Sequence, residues 1–519
     1  MTLTPRTSDF SARYNELVEQ AWLAQNSAVR GCMVIKPYWY AIRENMQKFL
    51  DQAFKITNHQ NAYFPLFIPK SFFTKEAKHV EWFATEAAVV THYRLKKDEQ
   101  TGEMIVDPAA KLEEELIVRP TSETIIRNTF KDWIHSYRDL PLLINQRANV
   151  VRREMRTRAF LRTAEFLRQE GHTAHATAED AISETKRMRQ VYQWFFINVM
   201  SIDGVMGEKS ANERFAGAEN TFTIEQMMQD GKALQSCTSH FLWQNFGKAF
   251  DVSFTNKDNQ LEHARATSRG ISTRALGGMI MSHSDDKGLV LPPALAPIHI
   301  IIVPIFKTSD DLEKIQNYLK PTIDTLRTKS FTIKNWNPAS PANTAWGEFP
   351  QTNLPISFSR PLEIKIDTDE HKTNWRKYNE YELQGVPLRI AVWPRDMENK
   401  VVEVFRRDTS TKELISIDQL ADYCEKTLYE IQENLLEKNR AMRLANTVSV
   451  NTYDEFKQAL EDGKFILAHR DWTWATEDLI KEETKATIRC IPSNSPAEQW
   501  TCIRTGKASE KRVLFARSY

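Results

Sequence analysis

Cysteines are few in this chain, and none of them forms a CxxC pair. The five cysteines stand at positions 32, 237, 424, 490 and 502, a spacing that indicates free thiols in a reducing cytoplasm. No apolar run reaches the roughly 18 residues that a membrane helix needs. The N-terminus, MTLTPRTSDF, has no signal-peptide core. We therefore expect a soluble, cytoplasmic protein with no membrane partner.

An excess of charge is also missing. The chain has 69 basic and 68 acidic side chains and a formal net charge of +1, so any contact with nucleic acid must use a local basic surface. Its 519 residues, of which 41% are hydrophobic, predict about two to four domains.

Glycine is scarce as well. Only 16 residues are glycine while 13 are tryptophan, whereas an average chain has about 7% glycine.

The most informative stretch lies between residues 144 and 176. Alternating apolar positions lead to Val151, and a second extended run ends at Gly171, which predicts two antiparallel strands joined by a loop. The loop carries five arginines, at positions 152, 153, 156, 158 and 162. A guanidinium group suits bidentate contact with phosphate or carboxylate. Glu154, Glu165 and Glu170 alternate with these cations, a mixture that fits ATP plus an amino acid better than a merely solvated charged hairpin.

This hairpin resembles motif 2 of the class II aminoacyl-tRNA synthetases. The match begins at Arg152-Arg153-Glu154 and continues through FLRTAEFL and QEGHTAHAT. Other segments follow the order and spacing of the archaeal and eukaryotic-like prolyl-tRNA synthetases: RGCMVIKPY, NAYFPLFIP, RPTSET, ERFAGAENTFTIE, DGKALQSCTSH, STRALGGMIM and GVPLRIAV. The resemblance implies ATP-dependent ligation of L-proline to tRNA(Pro) through a prolyl-adenylate, with Mg²⁺ on the phosphates, by a homodimer.

The same resemblance implies a set of site residues. Arg152 and Arg274 would be the catalytic cations. The proline-binding residues would be Thr121, Glu123, Arg152, Glu170, His172 and His240. The ATP-binding residues would be Arg152, Glu154, Gln235, Thr238, Ser272 and Arg274. We expect no protein-bound metal site.

Local patterns give an independent, weaker reading of these positions. Glu123 follows Pro120 and opens an apolar-periodic run, as in an ordinary helix start. Thr238 or Ser239 could likewise cap a helix through Phe241. Arg274 opens a second apolar run, and a cation at that end of a helix is a sensible anion site. Cys237 has no features of a nucleophile.

The fold class implied is an α+β catalytic domain with an antiparallel sheet, the class II synthetase fold, over residues 1–293. An α/β anticodon-binding domain would follow over 294–411, built on a largely parallel sheet. Residues 412–519 would form a linker helix and a small α+β C-terminal domain. In some relatives this domain binds zinc through four cysteines. Only Cys490 and Cys502 remain here, and two thiolates cannot form a closed four-coordinate site, so we expect it to be zinc-free.

Several smaller elements are predicted along the chain. Helices are expected over residues 9–25, 40–54, 177–199 with Thr177 as N-cap, 310–328 and 417–442. The segment NAYFPLFIP is expected to be one edge strand, because its proline cannot donate to a ladder. Residues 201–235 are expected to be polar and loop-rich. An aromatic helix is expected through Phe241, Phe246 and Phe250, and a capping box at Thr452.

The departures from the family pattern fall into two sets. Arginine stands where the family has tryptophan, at positions 43, 127, 147, 153, 168, 269, 376 and 470. Tryptophan stands where the family has glycine, at positions 39, 82, 243, 375, 393, 472 and 500. Burying that many unpaired guanidinium groups would be destabilising. We therefore hypothesise that the source organism reads some arginine codons as tryptophan and UGA, written here as tryptophan, as glycine.

Two other functions remain open from the sequence. One is a catalytically inactive, tRNA-binding or regulatory relative of the synthetase. Such a decayed chain should show losses at Arg152, Glu154, Thr121, Glu123 and Arg274, and it shows none. The other is a class II synthetase for a different amino acid, against which RPTSET and the CTSH segment count.

Overall fold

The computed structural model of the chain describes residues 3–75, 85–333 and 357–519. The helices of the N-terminal part are α1 (Phe10–Gln20), α2 (Pro37–Ile56), α3 (Lys70–Lys75), α4 (Glu123–Trp133), α5 (Ala178–Asn198), α6 (Asn245–Ala249) and α7 (Arg274–His283). Its strands are β1 (Ala24–Asn26), β2 (Met33–Ile35), β3 (Gln60–Asn61), β4 (Phe67–Pro69), β5 (Ala88–His92), β6 (Leu95–Lys97), β7 (Met104–Val106), β8 (Lys111–Val118), β9 (Leu142–Val151), β10 (Glu165–His175), β11 (Val205–Glu208), β12 (Asn220–Met227), β13 (Ala233–Trp243), β14 (Ser253–Thr255), β15 (Leu261–His263) and β16 (Arg265–Ser272).

A large antiparallel sheet organises this part. The strand order is β11-β12-β13-β16-β10-β9-β3, and β3 joins its neighbour β9 in parallel. Helix α5 packs across β12, β13 and β16. The Thr177 hydroxyl caps the start of α5 by accepting the N–H of Asp180, and Met188, Tyr192 and Trp194 are buried along the helix. The predicted antiparallel α+β fold and the predicted cap are both confirmed.

Three local predictions for this part are wrong. The segment NAYFPLFIP is not one strand, because Pro65 lies in the interval between β3 and β4. Residues 201–235 hold β11 and β12, whose residues are buried on both faces and so show no alternation. Residues 235–240 lie inside β13, and only Asn245–Ala249 is helical. Strand β13 pairs with β12 on one side and β16 on the other, and these pairings outweigh the local sequence preference for a helix.

The middle part is a smaller α/β unit. Its helices are α8 (Ser309–Thr328), α9 (Asn374–Leu383) and α10 (Pro394–Glu398). Its strands are β17 (Ile300–Pro304), β18 (Ser330–Ile333), β19 (Phe358–Pro361), β20 (Ile364–Ile366), β21 (Leu388–Val392), β22 (Val401–Arg406) and β23 (Thr411–Ser416). The five-stranded sheet has the order β20-β17-β21-β22-β23. It is mixed, since β21, β22 and β23 pair antiparallel. The prediction of a largely parallel sheet is therefore wrong, because the connections after β21 and β22 are too short for parallel crossovers.

The C-terminal part begins with a long helix, α11 (Leu420–Ala445), followed by α12 (Tyr453–Glu461) and α13 (Trp474–Thr484). Its strands are β24 (Thr447–Ser449), β25 (Phe465–His469), β26 (Thr487–Pro492), β27 (Trp500–Thr501), β28 (Ala508–Ser509) and β29 (Arg512–Ala516). The apolar stripe predicted for α11 is buried, and the capping box at Thr452 is present. Strand β26 pairs with β11, so this sheet continues the large sheet of the N-terminal part.

Ion pairs connect the N-terminal part with each of the other two parts, beside a continuous apolar cluster that all three share. Arg407, after β22, makes a bidentate ion pair with Asp285 at 2.6 and 2.7 Å. Arg443 of α11 donates to the carboxylate of Asp203 at 2.6 Å. Within the described ranges, no helix is both long enough and apolar enough to cross a membrane.

Candidate active site

A polar cavity of about 770 Å³ opens between the hairpin loop (residues 152–164), one face of the large sheet and the start of α7. Its volume is in the range of about 300–1,000 Å³ that is usual for small-molecule sites. The lining combines cations, carboxylates and aromatic rings: Glu86, Arg152, Glu154, Arg162, Phe166, Arg168, Glu213, Phe215, Gln235, Thr238, His240, Ser272 and Arg274. The predicted hairpin is confirmed, with β9 and β10 as its antiparallel strands.

The register of four strands brings the polar side chains of the sheet together. One row of direct partners across β9, β10, β16 and β13 consists of Gln146, Glu170, Gly270 and Thr238. A second row lies two residues further along each strand and therefore on the same face. It consists of Ile144, His172, Ser268 and His240. Directly opposed residues share a face, as do residues two apart along a strand. This face of the sheet, which borders the cavity, therefore carries a carboxylate, an amide, two imidazoles and two hydroxyls.

Thr121 and Glu123 lie at the start of α4 with about 1% of their surface exposed. The Thr121 hydroxyl donates to the Glu123 carboxylate. Burial opposes ionisation of Glu123, but the charges of His172 and Arg168 outweigh it and hold the pKa of this carboxyl below its ordinary value. Glu123 is therefore an ionised carboxylate in a nearly dry surrounding.

Glu170 is the second buried carboxylate. Its Oε1 lies 3.2 Å from Nε of Arg168, and its Oε2 lies 3.8 Å from Nε2 of His172. Burial would raise the pKa of Glu170, but the positive charge of Arg168 and the nearby His172 and Ser122 lower it. Two ionised carboxylates, Glu123 and Glu170, thus share one region, which favours a cationic ligand between them.

His240 faces the same region as a neutral ring. Its Nδ1 lies 3.0 Å from the Thr221 hydroxyl, and its ring centroid lies 4.6 Å from that of Phe215. Burial lowers the pKa of His240 to about 3, so the imidazole is uncharged at neutral pH. The ring nitrogens of His240 can take part in hydrogen bonds and its flat face can pack against an apolar group of a ligand, and the ring adds no charge to the cavity.

Arg152 lies where the hairpin loop meets the buried carboxylates. Its Nε donates to the backbone carbonyl of Pro120 at 2.8 Å, which fixes the guanidinium group. Burial and the neighbouring Arg168 lower the pKa of Arg152 to about 10, against the opposing effect of Glu123 and Glu170. Arg152 therefore stays cationic at neutral pH and feels the field of both carboxylates.

Arg274 is the first residue of α7, directly after β16, as the sequence predicted. The Ser272 hydroxyl accepts the N–H of Arg274 at 3.2 Å, and Nε of Arg274 donates to the carbonyl of Leu161 at 3.0 Å. Burial and the nearby Arg162 lower the pKa of Arg274. Arg162 and Arg274, both beside the N-terminus of α7, therefore form a site for an anion.

The structure brings most of the predicted site residues to one place. Seven of them line the cavity: Arg152, Glu154, Gln235, Thr238, His240, Ser272 and Arg274. The other four, Thr121, Glu123, Glu170 and His172, are buried beside it. In particular, Arg152 and Glu154 face the same cavity, and Glu123 acts electrostatically on Arg152.

Sequence reasoning missed several residues of this region. Phe166, Phe215 and Glu86 line the cavity, and Gln146 lies behind it. Phe166 and Gln146 could have been found from strand alternation, since each shares a face with a predicted site residue. Glu86 could not, because a loop far away in the chain brings it in. Burial raises the pKa of the Cys237 thiol well above its ordinary value, which is not the state of a nucleophile.

Comparisons with known proteins agree with this geometry. The family "tRNA synthetase class II core domain (G, H, P, S and T)" matches residues 105–283. The families "Anticodon binding domain" and "Prolyl-tRNA synthetase, C-terminal" match residues 359–427 and 453–519. The chain is therefore a class II aminoacyl-tRNA synthetase.

Full-length relatives specify the family. The proline–tRNA ligase of Parabacteroides distasonis is 55% identical over 517 residues, and that of Cytophaga hutchinsonii is 56% identical over 518. Each alignment covers 100% of this chain and 99% of the relative. A crystal structure of prolyl-tRNA synthetase from Cryptosporidium parvum complexed with L-proline and AMP matches with a TM-score of 0.85 at 33% identity, over 100% of this chain and 97% of the other. The chain belongs to the prolyl-tRNA synthetases, the proline–tRNA ligases.

Proposed function

We propose that the cavity around Arg152 binds L-proline and ATP together and forms prolyl-adenylate there, before transfer of the prolyl group to tRNA(Pro). The observation that carries this proposal is the position of Arg152. One cation adjoins two buried carboxylates on one side and a cavity that also contains the Arg274 cation on the other. That arrangement suits a zwitterionic amino acid meeting a polyphosphate.

The proline site would lie among the buried polar groups. The imino nitrogen of proline is cationic at neutral pH and would be held by Glu123 and Glu170, both ionised. Thr121 and His172 would complete the polar contacts, and the neutral ring of His240 would wall the pyrrolidine. The carboxylate of proline would then point to Arg152. Cation and carboxylate are both desolvated in such a pocket, so their pairing would be selective for an amino acid.

The ATP site would follow the cavity from the hairpin loop to α7. Arg152 would contact the α-phosphate, and Arg274 with Ser272 would hold the γ-phosphate at the helix start. Glu154 would accept from the adenine amino group, and Gln235 and Thr238 would contact the nucleoside from β13. Each of these side chains lines the cavity.

The reaction would need positioning and charge neutralisation rather than a covalent intermediate with the enzyme. An oxygen of the proline carboxylate attacks the α-phosphorus of ATP, and the bond to pyrophosphate breaks. The terminal ribose hydroxyl of tRNA then attacks the carbonyl carbon of the adenylate, and AMP leaves. Arg152 and Arg274 would stabilise the charge that develops on the phosphate oxygens.

Mg²⁺ would accompany ATP. Three carboxylates line the cavity, those of Glu86, Glu154 and Glu213, and such oxygens are the ligands that Mg²⁺ prefers beside phosphates. Among the described residues, no cluster of three or more histidine, cysteine, aspartate or glutamate side chains is placed to hold a metal ion. Mg²⁺ would therefore be held chiefly by the phosphate oxygens of ATP, whose charge it neutralises when bound, with at most one or two of these carboxylates as ligands.

The remaining parts of the chain would serve the tRNA and assembly. We propose boundaries at 293/294 and 411/412 between the catalytic, anticodon-binding and C-terminal domains, and a cytoplasmic location. The mixed sheet of the middle domain would read splayed, single-stranded anticodon bases. A homodimer would form next to β4, where Tyr63 and Phe67 are 71% and 46% exposed. Light scattering at micromolar concentration tests the dimer, and Phe67→Asp should weaken it.

Proline-dependent exchange of pyrophosphate into ATP tests the proposed chemistry directly. We expect exchange with proline and none without it. Arg152→Ala should lower the exchange rate about 100-fold or more, because one charge-stabilising group is lost. Lys248→Ala is the matched control, since it removes an exposed cation outside the cavity. A folded chain that binds tRNA(Pro) but shows no exchange would instead be the inactive relative.

A further inference from the structure

Three tryptophans hold backbone conformations that belong to glycine. Eleven described residues other than glycine have positive φ, and three of them are Trp22 (φ 57°), Trp243 (φ 50°) and Trp472 (φ 61°). The left-handed region is unfavourable for a bulky side chain and is occupied routinely by glycine.

Trp22 stands at the end of α1. Its N–H bonds to the carbonyl of Glu19 at 3.0 Å, and the N–H of Leu23 bonds to the carbonyl of Val18 at 3.0 Å. These are the two hydrogen bonds of a Schellman motif, with Trp22 at the position after the helix cap that is usually glycine. Trp22 is 55% exposed, so its ring is not needed to fill a core.

Trp243 stands at an irregularity of the large sheet. The register between β13 and β16 shifts between Phe241 and Trp243. Across this shift Leu242 has no partner, and Trp243 beside it pairs with Ala266 in a left-handed conformation, which glycine adopts most readily. Trp472, in the turn between β25 and α13, has no such partner strand and is 39% exposed. In all three places the backbone has the left-handed conformation that favours glycine over a bulky side chain.

Arg269 shows the opposite mismatch, a charged side chain where the surroundings suit an aromatic one. It is 1% exposed, and none of its three side-chain nitrogens makes a hydrogen bond of good geometry among the described residues, although the Tyr192 hydroxyl is close enough to raise its pKa. The nearest carboxylate oxygen, Oε1 of Glu184, is 3.8 Å away. The guanidinium carbon lies 5.2 Å from the ring centroid of Phe54. Arg119 is equally buried but donates to the carbonyls of Asn149 and Phe64 at 2.7 Å, which is how a buried arginine is ordinarily satisfied.

The cross-strand partner of Arg269 is Gly171, and the guanidinium covers it closely. A Cβ atom on Gly171 would come within 2.2 Å of the guanidinium carbon. A glycine covered by a large flat side chain of the next strand is an arrangement that aromatic residues commonly make. The site therefore suits a flat, uncharged ring with at most one donor, which is tryptophan.

We propose that the chain made by the source organism carries glycine at positions 22, 243 and 472 and tryptophan at position 269. The organism would read the codons rendered here as tryptophan at the first three positions as glycine, and the arginine codon at 269 as tryptophan. Position 22 is absent from the two sets found by comparison with the family. The backbone conformation of Trp22 is therefore an independent reason to include that position. The proposal is confined to these four positions, and Arg168, whose guanidinium lies 3.2 Å from the Glu170 carboxylate in the proposed proline site, is outside it.

Peptide mass spectrometry of the protein purified from its own organism tests this proposal. Trypsin cleaves after arginine, so we expect residues 266–274 as one uncut peptide that contains tryptophan. We expect residues 233–248 as a peptide that contains glycine at 243. A peptide that ends at Arg269, or a 233–248 peptide that contains Trp243, would overturn the proposal.

Stability of the full chain made in a host with the standard code gives a second measurement. Arg269→Trp and Trp243→Gly should each raise Tm by about 2 °C or more. The matched controls are Arg119→Trp, a buried arginine that is hydrogen-bonded, and Trp194→Gly, a buried tryptophan inside α5, and both should lower Tm. If Arg269→Trp and Trp243→Gly lower Tm as the controls do, the proposal is wrong.

Discussion

The side-chain nitrogen of Gln146 lies 3.4 Å from Oε2 of Glu170 and 3.2 Å from the hydroxyl oxygen of Ser122. The side-chain oxygen of Gln146 accepts the N–H of Phe64 at 2.7 Å. Gln146 is fully buried, and it is the cross-strand partner of Glu170. One amide therefore connects β9, β10 and the loop that precedes α4, and we infer that it positions both carboxylates of the proposed proline site.

Gln146→Leu should weaken proline recognition without removing any group that touches the substrate. The substitution keeps the volume but loses the donor to Glu170 and the acceptor for Phe64, which leaves buried polar groups unpaired. We expect the KM for proline to rise about 10-fold, a loss of about 1.4 kcal/mol, while the KM for ATP changes little. Steady-state pyrophosphate exchange at varied proline and varied ATP separates the two.

Gln169→Leu is the matched control for this prediction. Gln169 is the neighbour of Glu170 in β10, and its side chain points to the opposite face of the sheet. It is buried like Gln146 and bonds to Asn145 and Tyr192. Its loss should lower stability without changing the KM for proline. Equal effects of the two substitutions on that KM would mean that Gln146 acts only through overall stability.

Glu123→Gln should raise the KM for proline more strongly than Gln146→Leu does. The substitution is isosteric and removes the charge that faces the proposed imino cation in a nearly dry pocket. Removing one partner of a buried charge pair costs about 2–5 kcal/mol, so we expect an increase of about 30-fold or more. Glu113→Gln, on the exposed side of β8, should leave exchange unchanged. A normal KM for proline in Glu123→Gln would refute the proposed role.

The sequence predicts the elements of this site better than it predicts their surroundings. The hairpin, the start of a helix at Arg274 and the stripe of α11 follow from local periodicity, whereas the roles of the site residues come from the family resemblance. The strands within residues 201–235 could not be read, because strands buried on both faces lack the alternation that marks an exposed strand. Contacts such as that of Glu86 with the cavity depend on long-range packing, which no local pattern encodes.

Asp285→Asn should weaken the connection between the N-terminal part and the middle part. Arg407 is 1% exposed, and its bidentate partner is Asp285. Loss of the carboxylate charge would leave a buried guanidinium without its counter-ion, which costs about 3 kcal/mol. We expect a lower Tm in calorimetry. Asp286→Asn is the natural control, because Asp286 is exposed, its partner Arg6 is only half-buried, and surface pairs of this kind contribute about 0–1 kcal/mol. Equal shifts for the two variants would contradict the prediction.

Buried neutral histidines should make the protein less stable as the pH falls below about 6.5. Burial lowers the pKa of His283, His59 and His175 to about 4. The unfolded chain, with ordinary histidine pKa values near 6.5, then binds more protons than the folded chain between about pH 4 and 6.5. The free energy of unfolding therefore falls as the pH is lowered through that window, by up to about 1.4 kcal/mol per pH unit for each such histidine.

His283→Gln isolates one of these groups. His283 lies at the end of α7 and bonds through Nε2 to the carbonyl of Met200 at 2.9 Å, a contact that a glutamine amide can replace. Urea unfolding between pH 5 and 6.5 should show a slope against pH that is smaller by up to about 1.4 kcal/mol per unit in the variant. His371→Gln, which removes an exposed histidine, should leave the slope unchanged. An unchanged slope in His283→Gln would mean that His283 binds its proton as readily when folded as when unfolded.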